Sequence, residues 1–154
     1  MTILTNAIGC MLLLCCTVSW AVAATPPDWN EQQIEWHEYQ DGLARAEASG
    51  KPVMLIFYAD WCPTCHAYRD VFNRPQIVAL AQQLVMIRVN VDQFPELSEQ
   101  YGDDGSYVPR TFVLDSSGKR QQLLFPQKRY RYFIKATDLT AFEQLMSKAL
   151  EGHD

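Results

Sequence analysis

Charge is missing from the first 24 residues of this 154-residue chain, and cysteine is scarce after them. Three of the five cysteines, Cys10, Cys15 and Cys16, fall in that uncharged stretch, which leaves only Cys62 and Cys65. Two cysteines separated by two residues close only a very small loop. Their spacing therefore disfavours a structural disulfide framework and favours reactive thiol chemistry.

The chain also lacks an excess of basic residues, because its formal net charge is −5. Nonspecific nucleic-acid binding normally needs a basic face or stripe, so we expect no nucleic-acid partner. The sequence has neither a glycine-rich phosphate loop nor a Ser/His/Asp arrangement. With 48% hydrophobic and 20% charged residues, it is typical of one globular domain with a sizeable core, and we expect a monomer.

The uncharged N-terminus predicts a cleaved secretory signal. An apolar run of about 17 residues ends at Ala24, slightly short of the ~20 that a membrane span needs. The small residues of Ala21–Ala24 resemble a signal-peptidase site, although the usual positively charged n-region is absent. An uncleaved anchor and a lipoprotein at Cys10 are the alternatives. We predict an exported protein, periplasmic if bacterial, with a signal peptide (1–24), an extension (25–32), one folded domain (33–150) and a tail (151–154).

Strand and helix patterns alternate along the rest of the chain. The continuous apolar runs Val53–Ala59 and Val85–Val91 predict strands buried on both faces. A weak strand precedes them, and a hairpin follows them. The predicted elements are strands at 33–36, 53–59, 85–91, 111–114 and 122–125, and helices at 38–49, 63–72, 75–84, 95–101 and 139–150, the last capped by Thr137 or Asp138. This order predicts an α/β fold with a mixed central sheet covered by helices on both sides.

The Cys-x-x-Cys sequence lies between a buried strand and a helix. There, the first cysteine receives the unpaired N–H groups and the dipole of the helix N-terminus, which stabilise a thiolate. The second cysteine is nearly one turn away and can attack a mixed disulfide. We expect Cys62 to be accessible and Cys65 to lie deeper.

Two stretches carry a resemblance to a known family. Ala59-Asp60-Trp61-Cys62-Pro63-Thr64-Cys65 resembles the active-site motif of the thioredoxin superfamily, and Val108-Pro109 resembles its cis-proline dipeptide. Lys51–Leu55 and Asn73–Ile77 are most similar to the C-terminal thioredoxin domain of the bacterial thiol–disulfide interchange protein DsbD. Tyr107–Arg110 also resembles small thioredoxin-fold proteins of the endoplasmic reticulum.

The resemblance implies that the domain at 33–150 is thioredoxin-like, with a thioredoxin fold and disulfide exchange. Cys62 would be the nucleophile and Cys65 the resolving thiol of a redox-active disulfide. It implies protein thiols and disulfides as partners, together with a membrane-embedded redox partner, and neither a cofactor nor a metal. Further site residues follow from the same motifs. Those expected to bind substrate are Trp61, Val108 and Pro109, and those expected to tune the redox potential are Pro63, Thr64, His66 and Arg69.

Two positions depart from the family pattern. Ile56 stands where family reductases often carry a buried acid, and Arg69 stands where the DsbD-type domain has a second one. We expect these changes to slow deprotonation of Cys65. Removal of the like-charge repulsion, with added positive potential from His66 and Arg69, is expected to stabilise the Cys62 thiolate.

Other interpretations use the same residues. The chain could be a non-catalytic thioredoxin-fold binding or chaperone module. Cys62–His66 also matches the haem-attachment pattern Cys-x-x-Cys-His of a c-type electron carrier, and the cysteines could be half of a zinc site. An acidic run (92–104) and a basic run (119–135) predict two solvated faces or a partner-docking surface.

Overall fold

The computed structural model describes residues 29–121 and 129–152. Four strands form a mixed sheet in the order β1-β3-β2-β4, in which β4 is antiparallel to β2 and the other pairs are parallel. Their bounds are β1 (Trp36–His37), β2 (Val53–Tyr58), β3 (Val85–Asn90) and β4 (Arg110–Leu114). The predicted α/β class and mixed sheet are confirmed.

Five helices connect or follow these strands, and each corresponds to a helix expected from the sequence. Three of them begin with proline, at a position where the missing N–H is harmless. Asp138 caps the last helix by accepting a hydrogen bond from the Ala141 backbone N–H at 3.1 Å. The helices are α1 (Tyr39–Ser49), α2 (Pro63–Val71), α3 (Pro75–Ala81), α4 (Pro95–Gln100) and α5 (Leu139–Glu151).

Each face of the sheet has its own apolar core, because successive side chains of a strand point to opposite faces. Met54 and Ile56 of β2 pack with α2, α3 and α5. Leu55 and Phe57 face the other way and pack with α1 and with Tyr101, which follows α4. The central strands are therefore covered on both sides, which explains their continuous apolar sequence.

The first strand begins later than the sequence predicts. Gln33 and Ile34 do not pair in the sheet, since both backbone N–H groups donate to the carbonyl oxygen of Asn30, at 3.0 and 2.9 Å. This turn ties up the donors that a strand would use. Pairing with β3 therefore starts at Trp36, which lies opposite Met86.

The predicted hairpin is present as far as the structure describes it. The Asp115 N–H donates to the Lys119 carbonyl at 2.9 Å, and Gly118 takes the positive φ of 82° that the turn requires. Leu114 then pairs with Arg120 across the turn. The predicted second strand at 122–125 and the signal peptide at 1–24 lie outside the described residues. Among the described helices, none has the length and apolar character needed to cross a membrane.

Candidate active site

The two cysteines lie where β2 ends and α2 begins. Cys62 is the N-cap residue of α2, Pro63 opens the first turn, and the Cys65 backbone N–H points at the Cys62 Sγ from 3.1 Å. The sulfur atoms form a disulfide, with 5.2 Å between the two Cα atoms. The same N–H would stabilise a thiolate on Cys62 in the reduced protein, because it is one of the unpaired donors at the helix start.

Both cysteines are more enclosed than the sequence suggests. Cys62 is 4% exposed and Cys65 is fully buried. They form a small apolar cluster with Ala59, against which Val91 and Val108 pack. The expected order of depth is therefore correct, but Cys62 presents only a small sulfur surface to an incoming substrate.

A second loop faces the cysteines from the start of β4. The peptide bond between Val108 and Pro109 is cis, as the motif predicts. The carbonyl oxygen of Val108 lies 3.7 Å from Cys62 Sγ. Backbone groups of this loop are thus within reach of any chain that reacts at that sulfur.

Trp61 lies on the surface beside Cys62 and is 67% exposed. Its indole N–H donates to Asp92 Oδ2 at 2.9 Å, and the Asp92 backbone N–H donates to Asn90 Oδ1 at 3.0 Å. Asp92 is not among the site residues predicted from the sequence. Its position just after β3 is a signal that could have identified it as a site residue. The carboxyl ends of the parallel strands β2 and β3 lie at the same edge of the sheet, so residues that follow β3 lie near those that follow β2.

Asp60 organises the polar groups around the start of α2. Its carboxylate accepts hydrogen bonds from Arg69 Nη2 at 3.2 Å and from Asn90 Nδ2 at 2.9 Å. Its carbonyl oxygen lies 2.7 Å from His66 Nε2. Arg69 is 4% exposed and also lies over the Trp29 ring, 5.5 Å from its centroid.

These contacts bear on the residues expected to tune the redox potential. Pro63 and Thr64 are exposed between the cysteines, in the first turn of α2. His66 and Arg69 both contact Asp60, and the Arg69 charge is paired with a carboxylate. The tuning roles remain predictions. The sequence alone predicts that the positive charge of Arg69 acts on the cysteine sulfurs, but the negative charge of the Asp60 carboxylate opposes that effect.

The position of the family's buried acid is apolar. Ile56 is fully buried and lies opposite Thr111 of β4. The Thr111 hydroxyl is 3.3 Å from that of Tyr68, which accepts a hydrogen bond from the Ile134 backbone N–H at 3.2 Å. Burial raises the pKa of Tyr68 well above its ordinary value, so this hydroxyl stays protonated.

Part of the acidic run contacts part of the basic run. Asp103 accepts hydrogen bonds from Arg120 at 2.8 Å, Arg131 at 3.1 Å and the Tyr132 hydroxyl at 3.0 Å. Burial acts to raise the pKa of Asp103, but its hydrogen bonds from Tyr132 and Arg120 outweigh burial and hold that pKa below its ordinary value. Part of each run is therefore neutralised within the chain.

No group of three or more His, Cys, Asp or Glu side chains that could hold a metal ion occurs within residues 29–121 and 129–152. The haem-attachment pattern places His66 next to Cys65, and its ring contacts the Asp60 carbonyl. The bonded sulfurs, the cis-proline loop and the exposed tryptophan together have the arrangement needed for thiol–disulfide exchange.

Comparison with known proteins agrees with this chemistry. The thioredoxin-like family profile matches residues 35–116. Anterior gradient protein 2 homologs from Homo sapiens and Pongo abelii are 32% and 30% identical over 125 residues, which cover 80% of this chain and 70% of each relative.

Solved structures show the same fold. A thioredoxin from Thermus thermophilus superimposes with a TM-score of 0.58 at 26% identity, covering 79% of this chain and 94% of that one. A disulphide isomerase from Xylella fastidiosa Temecula1 gives a TM-score of 0.56 at 23% identity, covering 88% and 98%, and shows the fold alone. The chain belongs to the thioredoxin-like family, and with its Cys62–Cys65 pair it is a thiol–disulfide oxidoreductase.

Proposed function

We propose that the protein is exported and exchanges disulfides with protein substrates, with Cys62 as the attacking thiol and Cys65 as the resolving thiol. The observation that supports these roles is the asymmetry of the pair. Cys62 caps α2, receives the Cys65 N–H and faces the Val108 carbonyl, whereas Cys65 is wholly buried behind it. Of these two cysteines, Cys62 is the one that combines a stabilised thiolate with access to a second chain.

The reaction balances as two sulfur exchanges. The Cys62 thiolate attacks one sulfur of a substrate disulfide, a mixed disulfide forms, and the other substrate sulfur leaves as a thiolate. The Cys65 thiolate then attacks Cys62 Sγ, which forms the Cys62–Cys65 disulfide and releases the second substrate thiol. The substrate gains two electrons and the protein loses two, and the reverse sequence oxidises a substrate dithiol.

Polypeptides are the substrate class that the surroundings of Cys62 favour. Val108 has backbone groups beside the sulfur that a substrate strand could pair with, and Pro109 has no N–H that would compete. The exposed Trp61 ring offers apolar contact area next to the reacting sulfur. A small thiol such as glutathione would use little of this surface.

The compartment and the redox partner are proposals from the sequence. Export follows from the apolar segment at 1–24, and an exported dithiol needs a partner that resets its redox state. The similarity of Lys51–Leu55 and Asn73–Ile77 to DsbD suggests a membrane-embedded partner. The relatives that show the family are anterior gradient proteins, so this finer similarity stays a prediction.

Single-cysteine variants test the assigned roles. Cys65→Ser should accumulate mixed disulfides with cellular proteins, because the attacking thiol remains and the resolving thiol is gone. Cys62→Ser is the matched control and should accumulate few. Non-reducing gels and mass spectrometry of the trapped adducts measure both. The reverse pattern would overturn the assignment, and absence of turnover of any peptide disulfide by the wild type would favour the binding-module interpretation.

Export is tested by the mature N-terminus. Protein recovered from the exporting cell should begin near Ala24 or Thr25, after the small residues of the cleavage site. Mass spectrometry of the intact protein measures this. A mature chain that still contains Cys10 would contradict cleavage and favour an anchor.

A further inference from the structure

Arg110 is a buried cation at the start of β4, directly after Pro109. Its side chain is fully buried. Among the described residues, no carboxylate forms an ion pair with it. Burying a charge without a counter-charge is costly unless hydrogen bonds replace the lost water. The hydrogen bonds of Arg110 must therefore compensate for the lost hydration of its charge, and they show which parts of the chain it connects.

The guanidinium group binds the backbone where α4 ends. Nη1 donates to the carbonyl oxygens of Tyr101 at 3.0 Å, Gly105 at 3.1 Å and Ser98 at 3.3 Å. Nη2 donates to the Ser98 hydroxyl at 2.5 Å and to its carbonyl at 3.3 Å. The Phe57 ring lies below, with its centroid 4.9 Å from Cζ. One planar group thus holds the end of α4 and the loop after it against the cis-proline segment.

A second anchor holds the other side of Val108. The Tyr107 hydroxyl donates to Asp104 Oδ2 at 2.6 Å and accepts a hydrogen bond from the Tyr132 backbone N–H at 3.1 Å. Asp104 Oδ2 also accepts from the Arg131 backbone N–H at 2.7 Å. The residue before Val108 and the residue after Pro109 are therefore both fixed to chain segments outside the loop.

We propose that Arg110 is a positioning residue that fixes the Val108 backbone relative to Cys62 and thereby sets the rate of exchange with polypeptide disulfides. The proposal rests on the proposed function, since it concerns the segment that a substrate strand would pair with. Val108 O is 3.7 Å from Cys62 Sγ, so a shift of about 1 Å in this loop changes the approach to the sulfur and can cost on the order of a hundredfold in rate.

Arg110→Lys separates positioning from charge. Lysine keeps the positive charge but replaces a planar fork of donors by a single ammonium, which cannot serve three carbonyls in this geometry. We expect the rate of Cys62 with a short peptide disulfide to fall by about tenfold to a hundredfold. The rate of Cys62 alkylation by iodoacetamide, which needs no backbone pairing, should change by less than about twofold, because the thiolate itself is untouched.

Two further variants complete the experiment. Arg45→Lys is the matched control, because Arg45 is exposed and pairs with Glu35 away from the site, and it should alter neither rate. Tyr107→Phe removes only the second anchor and should reproduce the selective loss. Circular dichroism checks that each variant folds. If Arg110→Lys does not fold, Tyr107→Phe still tests whether anchoring of this loop sets the rate with the peptide disulfide.

The outcomes are distinguishable. A selective loss of the peptide reaction supports the proposal. Equal loss of both reactions shows that Arg110 acts on the thiol or the fold, and an unchanged peptide rate in the folded variants shows that the loop needs no such anchor; either result overturns the proposal. If wild-type protein alkylates but does not react with the peptide disulfide, the proposed function itself fails, and this inference fails with it.

Discussion

Arg69 and Asp60 form an ion pair, and replacing the arginine is expected to change the free energy of unfolding differently from replacing the aspartate. Arg69 is 4% exposed, and its Nε and Nη1 atoms have no hydrogen-bond partner among the described residues. Its ionic contact is the 3.2 Å bond from Nη2 to Asp60, whose side chain is 68% exposed. The cost of burying the charge therefore falls mainly on the arginine, whereas the carboxylate is largely hydrated.

Asp60→Asn should destabilise the protein by about 1–3 kcal/mol, since a hydrogen bond to a charged group is lost and a buried cation keeps no counter-charge. The figure is at the low end for a buried pair because water screens the exposed carboxylate. Arg69→Met should lie between about 1 kcal/mol of destabilisation and about 2 kcal/mol of stabilisation. It removes two unpaired buried donors but also loses the contact with Trp29.

Urea unfolding of the oxidised protein measures both values, with the slope m checked for constancy. In the double variant Asp60→Asn/Arg69→Met, the destabilisation by Asp60→Asn should largely disappear, because the charge it left unpaired is gone. Glu35→Gln is the matched control for an exposed pair and should cost about 0.5 kcal/mol or less. If Arg69→Met costs as much as Asp60→Asn, the argument that Arg69 carries the burial cost is refuted.

Two further predictions concern the scaffold. Gly42→Ala should cost about 1–3 kcal/mol in urea unfolding, because a Cβ there would overlap the Ile87 side chain, while Gly152→Ala, where a Cβ makes only ordinary contact, should change stability by less than about 0.5 kcal/mol. The pKa of Asp103 is lowered in the folded chain by its hydrogen bonds, so its contribution to stability is complete above the ordinary pKa of an aspartate and is lost as the pH falls through the lower, folded-state pKa. The stability–pH curve measured from pH 6 to pH 2 should accordingly be flatter for Asp103→Asn, and identical curves would contradict this.

Local sequence rules were enough to predict the elements that build the site. The strand Val53–Tyr58 is recognisable because a strand covered on both faces has no polar side. Asp138 is recognisable as a helix cap because its side chain needs only a backbone N–H of the helix that follows it. The Cys-x-x-Cys pair was predictable at the helix start for the same reason, since Pro63 and the preceding strand define that start.

The polar partners around the cysteines could not be predicted in the same way. Asp60 and Arg69 lie nine residues apart, one before α2 and one near its end, and Asn90 joins them from another strand. Nothing in the local sequence around Arg110 indicates that this arginine is buried rather than exposed. Its burial depends on where α4 ends against β4, which is a tertiary contact and not a local pattern.

The replacement of the family's buried acid changes where a proton can go. Cys65 is fully buried, and the sheet position that carries a carboxylate in many family reductases is Ile56, also fully buried. Tyr68 cannot substitute as a proton acceptor at neutral pH, because a tyrosine hydroxyl is protonated there even at its ordinary pKa and burial raises that pKa further. The carboxylates of the site are instead at its rim, on Asp60 and on the Asp92 that holds Trp61. The first exchange, at Cys62, has the helix N-terminus to stabilise its thiolate, whereas the second must deprotonate a thiol with an apolar group at the position of that acid. We therefore expect the resolving step to be slow, and mixed disulfides should persist longer here than in a relative that has the acid.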